Sequence, residues 1–71
     1  MNTIPKLLDV VAVLQALPQY KLVIGQVGTV VEILNAETCL VEFCNPKGET
    51  LAMVELNIGN MLLLHYDLMA A

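Results

Sequence analysis

Proline, glycine and asparagine recur along this chain at short intervals and cut its apolar sequence into short runs. The longest uninterrupted aliphatic run is Val10 to Leu14. A membrane-spanning helix needs about 20 consecutive apolar residues, so these runs predict no such helix. Short apolar runs between turn-forming residues are typical of a meander of antiparallel strands.

Five strands are predicted between these turn residues. The first run, Leu7 to Leu14, fits both a helical stripe and one face of a strand, and its valine content favours the strand. The other predicted strands are Thr29 to Leu34, Thr38 to Cys44, Glu49 to Leu56 and Met61 to His65.

The predicted connections differ in length. Gln19 to Gly25 is a long irregular segment, whereas Asn45 to Gly48 reads as a tight turn, because proline sets φ at about −65° and glycine accepts a positive φ. Asn57 to Asn60 is expected to make one turn, of which a 3₁₀ helix is one form, and Tyr66 to Ala71 is expected to be a frayed tail. The pattern predicts an all-β fold, a small SH3-like, five-stranded, partly open barrel. The 71 residues allow one domain, with a core from about residue 7 to residue 65.

The composition predicts a partner. Apolar residues make up 58% of the chain, against roughly 45–50% in ordinary soluble domains. So small a fold cannot enclose them all, and we expect self-association or a partner protein to cover the remainder. The net charge is −4, with seven acidic residues, three lysines and no arginine, which favours a basic partner.

The cysteines predict a reducing compartment. Cys39 and Cys44 lie five residues apart in one predicted strand, so they point to opposite faces, at a separation of about 16 Å. An internal disulfide is therefore excluded, and both are expected to be thiols packed as small apolar groups. Asp9 interrupts the apolar stretch after Lys6, which argues against a signal peptide. We expect a cytoplasmic protein.

Catalytic chemistry has few candidate residues. His65 is the only histidine, and a thiol–imidazole pair with Cys39 or Cys44, oriented by Asp9 or Asp67, is the one arrangement to consider. A surface imidazole near a chain terminus is the more ordinary interpretation. No C-x-x-C or H-x-x-x-H spacing is present. We expect no enzyme activity, no metal and no cofactor.

The segment from Val23 to Ile33 resembles the glycine-then-valine signature of KOW-type SH3-like barrels, which occur in transcription elongation factors and ribosomal proteins. Gly25 and Gly28 within it are expected to bracket a turn where backbone passes close to backbone or where φ is positive. The resemblance implies nucleic-acid binding, which requires clustered cations and stacking aromatics. The chain has only three separated lysines and three aromatic residues, namely Lys6, Lys21, Lys47, Tyr20, Phe43 and Tyr66.

A longer set of segments is similar to a family of small bacterial proteins, abundant in cyanobacteria, the domain-of-unknown-function family four-nine-two-six. The resemblance covers roughly Leu7 to Leu64 and implies the fold, but no activity. The segments are Leu8 to Val11, Leu17-Pro18, Gly25 to Ile33, Val41 to Phe43 and Gly48 to Thr50.

Period-two alternation separates two faces of the predicted strands. One face is expected to form the core: Val31, Ile33, Cys39, Val41, Phe43, Ala52, Val54 and Leu56. The opposite face mixes apolar side chains with carboxylates, as interfaces do, and is predicted to bind a partner: Val30, Glu32, Leu34, Leu40, Glu42, Leu51, Met53 and Glu55.

These features predict a non-catalytic protein-interaction module that self-associates or binds a basic cognate protein. The neutralising half of a toxin–antitoxin or immunity pair is one concrete form. Two alternatives remain open at this point. One is an accessory subunit of a larger enzyme complex, and the weaker one is a KOW-like nucleic-acid-binding domain.

Overall fold

The chain is all-β. A computed structural model describes residues 4–65, so the predicted frayed tail from Tyr66 to Ala71 lies outside the described residues. The strands are β1 (Val10–Val13), β2 (Val27–Ile33), β3 (Thr38–Cys44), β4 (Thr50–Asn57) and β5 (Met61–Leu63). Two 3₁₀ turns, Pro18–Tyr20 and Ile58–Asn60, lie in the β1–β2 and β4–β5 connections.

The five strands form one open antiparallel sheet in the order β4-β3-β2-β1-β5. β1 pairs with β2 on one side and with β5 on the other. This order, with a long first connection and a 3₁₀ turn before the last strand, matches the SH3-like, partly open barrel that the sequence predicts. The first apolar run is a strand over Val10–Val13, and Leu8 precedes it with a positive φ of 72°.

The core lies on one face of the sheet. Its buried side chains are Val11, Val13, Leu22, Val30, Cys39, Val41, Phe43, Val54, Leu56 and Met61. The glycine expectation is confirmed at Gly25, which has a φ of 88°. Gly28 differs from it, since its φ is not positive and it lies against core side chains rather than against backbone. A Cβ atom on Gly28 would lie 2.6 Å from Val41 Cγ1 and 2.8 Å from Phe43 Cε1. The Val41 methyl group and the Phe43 ring therefore occupy the space that a side chain at this position would need.

The predicted faces of β2 are wrong at two positions because the strand contains a β-bulge. Val30 pairs with Val41, but Glu32 pairs with Leu40, so Val31 is an extra residue without a partner on β3. One extra residue reverses the alternation. Val30, predicted to point outward, is fully buried, and Val31, predicted to be core, is half-buried.

Two other predicted core residues are less buried than expected. Ile33 keeps its register opposite Cys39 but is 44% exposed. The pairing of β1 with β2 reaches only as far as Thr29, so β1 does not extend over this end of β2. Ala52 is half-buried and packs against the edge of the core.

Candidate protein-interaction surface

Seven of the eight predicted interface residues lie on the outer side of β2, β3 and β4 or at its margin. We call this set the acidic apolar face; it comprises Glu32, Leu34, Leu40, Glu42, Leu51, Met53 and Glu55. The buried Val30 does not belong to it. At the centre of this face, Leu40 on β3 pairs with Glu32 on β2 and with Glu55 on β4. A half-buried leucine is thus flanked by two exposed carboxylates on adjacent strands.

The neighbouring row of the same face holds a fixed carboxylate. Glu42 pairs with Thr29 on β2 and with Met53 on β4. The Thr50 hydroxyl donates a hydrogen bond of 2.5 Å to Glu42 Oε2. Glu42 is therefore oriented by β4, whereas the structure gives no hydrogen bond to the Glu32 or Glu55 side chain within residues 4–65.

Leu51 and Met53 are the most exposed apolar members of the face. A second bulge explains the position of Leu51: Phe43 pairs with Ala52 and Cys44 with Thr50, so Leu51 has no partner on β3. Leu51 is 60% and Met53 is 52% exposed. Large apolar side chains at such exposure between carboxylates form a surface suited to a partner protein.

The lysines lie outside the sheet. Lys6 is in the segment before β1, Lys21 follows the first 3₁₀ turn, and Lys47 is in the β3–β4 turn. All five strands lack lysine, so the carboxylates of the acidic apolar face have no cation on the sheet beside them.

β4 also forms one edge of the sheet, and its backbone groups can be assigned to the two sides. The Ile58 N–H donates to the Glu37 carbonyl oxygen at 2.8 Å, in register with the pairing of Thr38 and Asn57. Because hydrogen-bonded and non-hydrogen-bonded pairs alternate in an antiparallel ladder, Leu56, Val54 and Ala52 exchange bonds with β3. The N–H and C=O groups of Met53 and Glu55 therefore point to the free edge.

A second apolar surface was not predicted. Ala12 on β1 pairs with Val27 on β2 and with Leu62 on β5, and these side chains point away from the core. Val27 is 50% and Leu62 is 52% exposed. No pattern in the sequence reveals this surface, because it is formed only by the pairing of β1 with β2 and with β5.

An open groove of about 450 Å³ lies between the two surfaces, where the pairing of β2 with β3 stops at Thr29 and Glu42. It is lined by Gln26, Val27, Gly28, Thr29, Glu42, Cys44, Asn45 and Pro46. Val27 of the second apolar surface and Glu42 of the acidic apolar face both line this groove, and Glu42 is the one charged residue in its lining.

The two cysteines occupy different environments. Cys39 is fully buried and Cys44 is exposed, and both are free thiols, so the predicted divergence is confirmed. The prediction that both pack as apolar groups is wrong for Cys44, which lies at the exposed end of β3. Burial raises the pKa of the Cys39 thiol above its usual value. Cys39 is thus held as a neutral thiol inside the core, whereas His65 is exposed.

Residues 4–65 contain no cluster of three or more His, Cys, Asp or Glu side chains placed to hold a metal ion. Across that same range, no helix combines the length and the hydropathy needed to cross a membrane.

Comparison with known proteins gives a family match. No curated protein and no solved structure matches this chain. The family model described as "Domain of unknown function (DUF4926)" matches residues 7–62, which include all the strands except the last residue of β5. The chain therefore belongs to this family, as its sequence resemblance predicts.

Proposed function

We propose that this protein is an interaction module that binds a basic partner protein through the acidic apolar face. The observation that carries the proposal is the row formed by Glu32, Leu40 and Glu55 across three adjacent strands. An apolar centre bordered by charged groups is the usual anatomy of a protein interface. Here the border has one sign of charge, so the partner should carry the opposite sign.

The charge of the whole chain supports the same class of partner. A net charge of −4 with the lysines outside the strands gives an attractive field for basic surfaces. Such a field raises association rates and is screened by salt. The same field repels phosphate backbones, which makes nucleic acid the less suitable ligand.

The test is affinity capture from lysate of the source cells with the immobilised protein and two charge-reversal variants. Glu55→Lys reverses a carboxylate beside Leu40, and Glu37→Lys reverses one in the β2–β3 turn, outside the strands. Both change the net charge equally. We expect wild type and Glu37→Lys to retain a basic protein in stoichiometric amount, and Glu55→Lys to lose it by about tenfold or more.

Two results would contradict this proposal. Equal loss with both variants would mean that net charge alone holds the partner, and equal retention would mean that the face is not used. Circular dichroism of each variant checks that the β-rich fold is intact. A third variant, Leu51→Glu with Met53→Lys, tests the apolar members and should also abolish capture.

A further inference from the structure

The free edge of β4 points to how the partner binds. Building on the proposed function, we propose that the partner supplies an extended segment that pairs with β4 as an additional strand. In this arrangement the segment places a lysine or arginine opposite Glu55 and an aliphatic residue opposite Met53.

β4 is the unprotected edge of this sheet. It is the longest strand, with eight residues, whereas β5 at the other edge has three. Natural proteins protect edges by proline, lysine, short length or bulges. β4 contains no proline and no lysine, and its one bulge lies near its start, at Leu51. The regular stretch from Ala52 to Asn57 keeps the geometry that an added strand requires.

The backbone groups on this edge are free within the described chain. The N–H and C=O groups of Met53 and Glu55 point away from β3, because Ala52, Val54 and Leu56 make the bonds to that strand. Outside the strand ladders, the backbone hydrogen bonds within residues 4–65 use no residue between Leu51 and Leu56. An added strand would therefore satisfy these groups without displacing any bond of the fold.

Charge complementarity distinguishes a basic segment from a second copy of this chain. When two copies of β4 pair about a two-fold axis, residues of the outer face meet residues of the outer face. Those residues are Leu51, Met53, Glu55 and Asn57, and none is a cation. Pairing between two copies of β4 leaves Glu55 without a counter-charge, and in one register it places Glu55 opposite the same residue of the other copy. A lysine or arginine of a partner segment would instead form an ion pair with Glu55.

The experiment uses two capped octapeptides as probes, in which threonine fills every second position. Lysine and valine alternate at the remaining positions of one peptide, and glutamate and valine at those of the other, so the charged residue and its valine neighbour share one face of an extended strand. Hydrogen exchange of the backbone amides is followed by NMR in the full chain. The lysine peptide should slow exchange at Met53 and Glu55 by about tenfold or more, and the glutamate peptide should not. Equal slowing by both peptides, or slowing by neither, would overturn the proposal.

A pair of variants separates backbone pairing from side-chain contact. Met53→Pro removes the edge N–H without removing a bond to β3, and proline is tolerated at such edge positions. Met53→Ala loses the same side chain and keeps the N–H. We expect the lysine peptide to bind Met53→Ala at least about tenfold more tightly than Met53→Pro. If Met53→Pro does not fold, amide exchange in the wild-type protein decides the question alone.

The outcomes separate this proposal from the one on which it rests. Suppose that Glu55→Lys weakens binding of the lysine peptide but Met53 and Glu55 amides exchange freely. Then the acidic apolar face binds a basic partner and strand addition is wrong. If these amides become protected as the protein alone is concentrated, a second copy occupies the edge and the proposal also fails.

Discussion

Gly28 is the residue of β2 that lies against Val41 and Phe43 of the core. Replacing it by alanine forces the Phe43 ring or the Val41 methyl group to move, because both lie under 3.0 Å from the added Cβ. We expect Gly28→Ala to destabilise the fold by about 1–3 kcal/mol, measured by urea denaturation.

A double variant tests whether this contact is the cause. Phe43→Leu frees space in front of residue 28, so the cost of Gly28→Ala should be smaller in that background. Purely additive losses would show that the Phe43 ring is not what excludes a side chain there. Gly25→Ala is a useful comparison, since its Cβ would meet no atom within 4 Å and its cost would come from the φ of 88° alone.

Single residues are also where the sequence prediction reaches its limit. Alternation correctly places Cys39, Val41, Phe43, Val54 and Leu56 in the core. It fails at Val30 and Val31 because a bulge adds one residue, and two adjacent valines give no sign of which is extra. The acidic apolar face is affected only through Val30.

At the scale of single elements, β5 shows how much a three-residue strand contributes to the stability of the fold. Met61 is buried and Leu62, beside it, is 52% exposed. We expect Met61→Ala to cost about 2–5 kcal/mol and Leu62→Ala to stay within about 0.5 kcal/mol, both measured by thermal or urea unfolding. Comparable losses for the two would contradict the orientation of β5.

The strands were predictable to different degrees. The bounds of β3 are those expected, because Asn45 and the turn before Thr38 delimit a regular alternation. β1 was ambiguous between helix and strand, since its run is short and apolar on both sides; its pairing with both β2 and β5 makes it a strand. The surface formed by Val27 and Leu62 depends on that pairing, so no local pattern could reveal it.

For the whole molecule, charge repulsion and exposed apolar surface oppose each other. The sequence isoelectric point is about 4.5 and the net charge at pH 7 is −4. As the pH falls towards the isoelectric point, repulsion between copies decreases and the exposed apolar side chains drive association. We expect light scattering from the purified protein to rise as the pH approaches that value.

Lys47→Glu tests the charge dependence, because Lys47 lies in the exposed β3–β4 turn, outside the strands. The substitution makes the net charge more negative, so the rise in scattering should move to lower pH. An unchanged onset would mean that repulsion does not limit association. The overall acidity and the excess of apolar residues were evident from composition, whereas the identity of the partner is not encoded in any local pattern.

The position of β1 between β2 and β5 has a consequence for how the protein is made. β1 is the first strand of the sheet to be synthesised, and β5 is the last. On the ribosome, the side of β1 that will pair with β5 stays open while about fifty further residues are translated. A nascent chain in this state exposes an unpaired edge of β1 that the finished sheet does not expose. A chaperone that binds unpaired strands would therefore bind the chain at this stage.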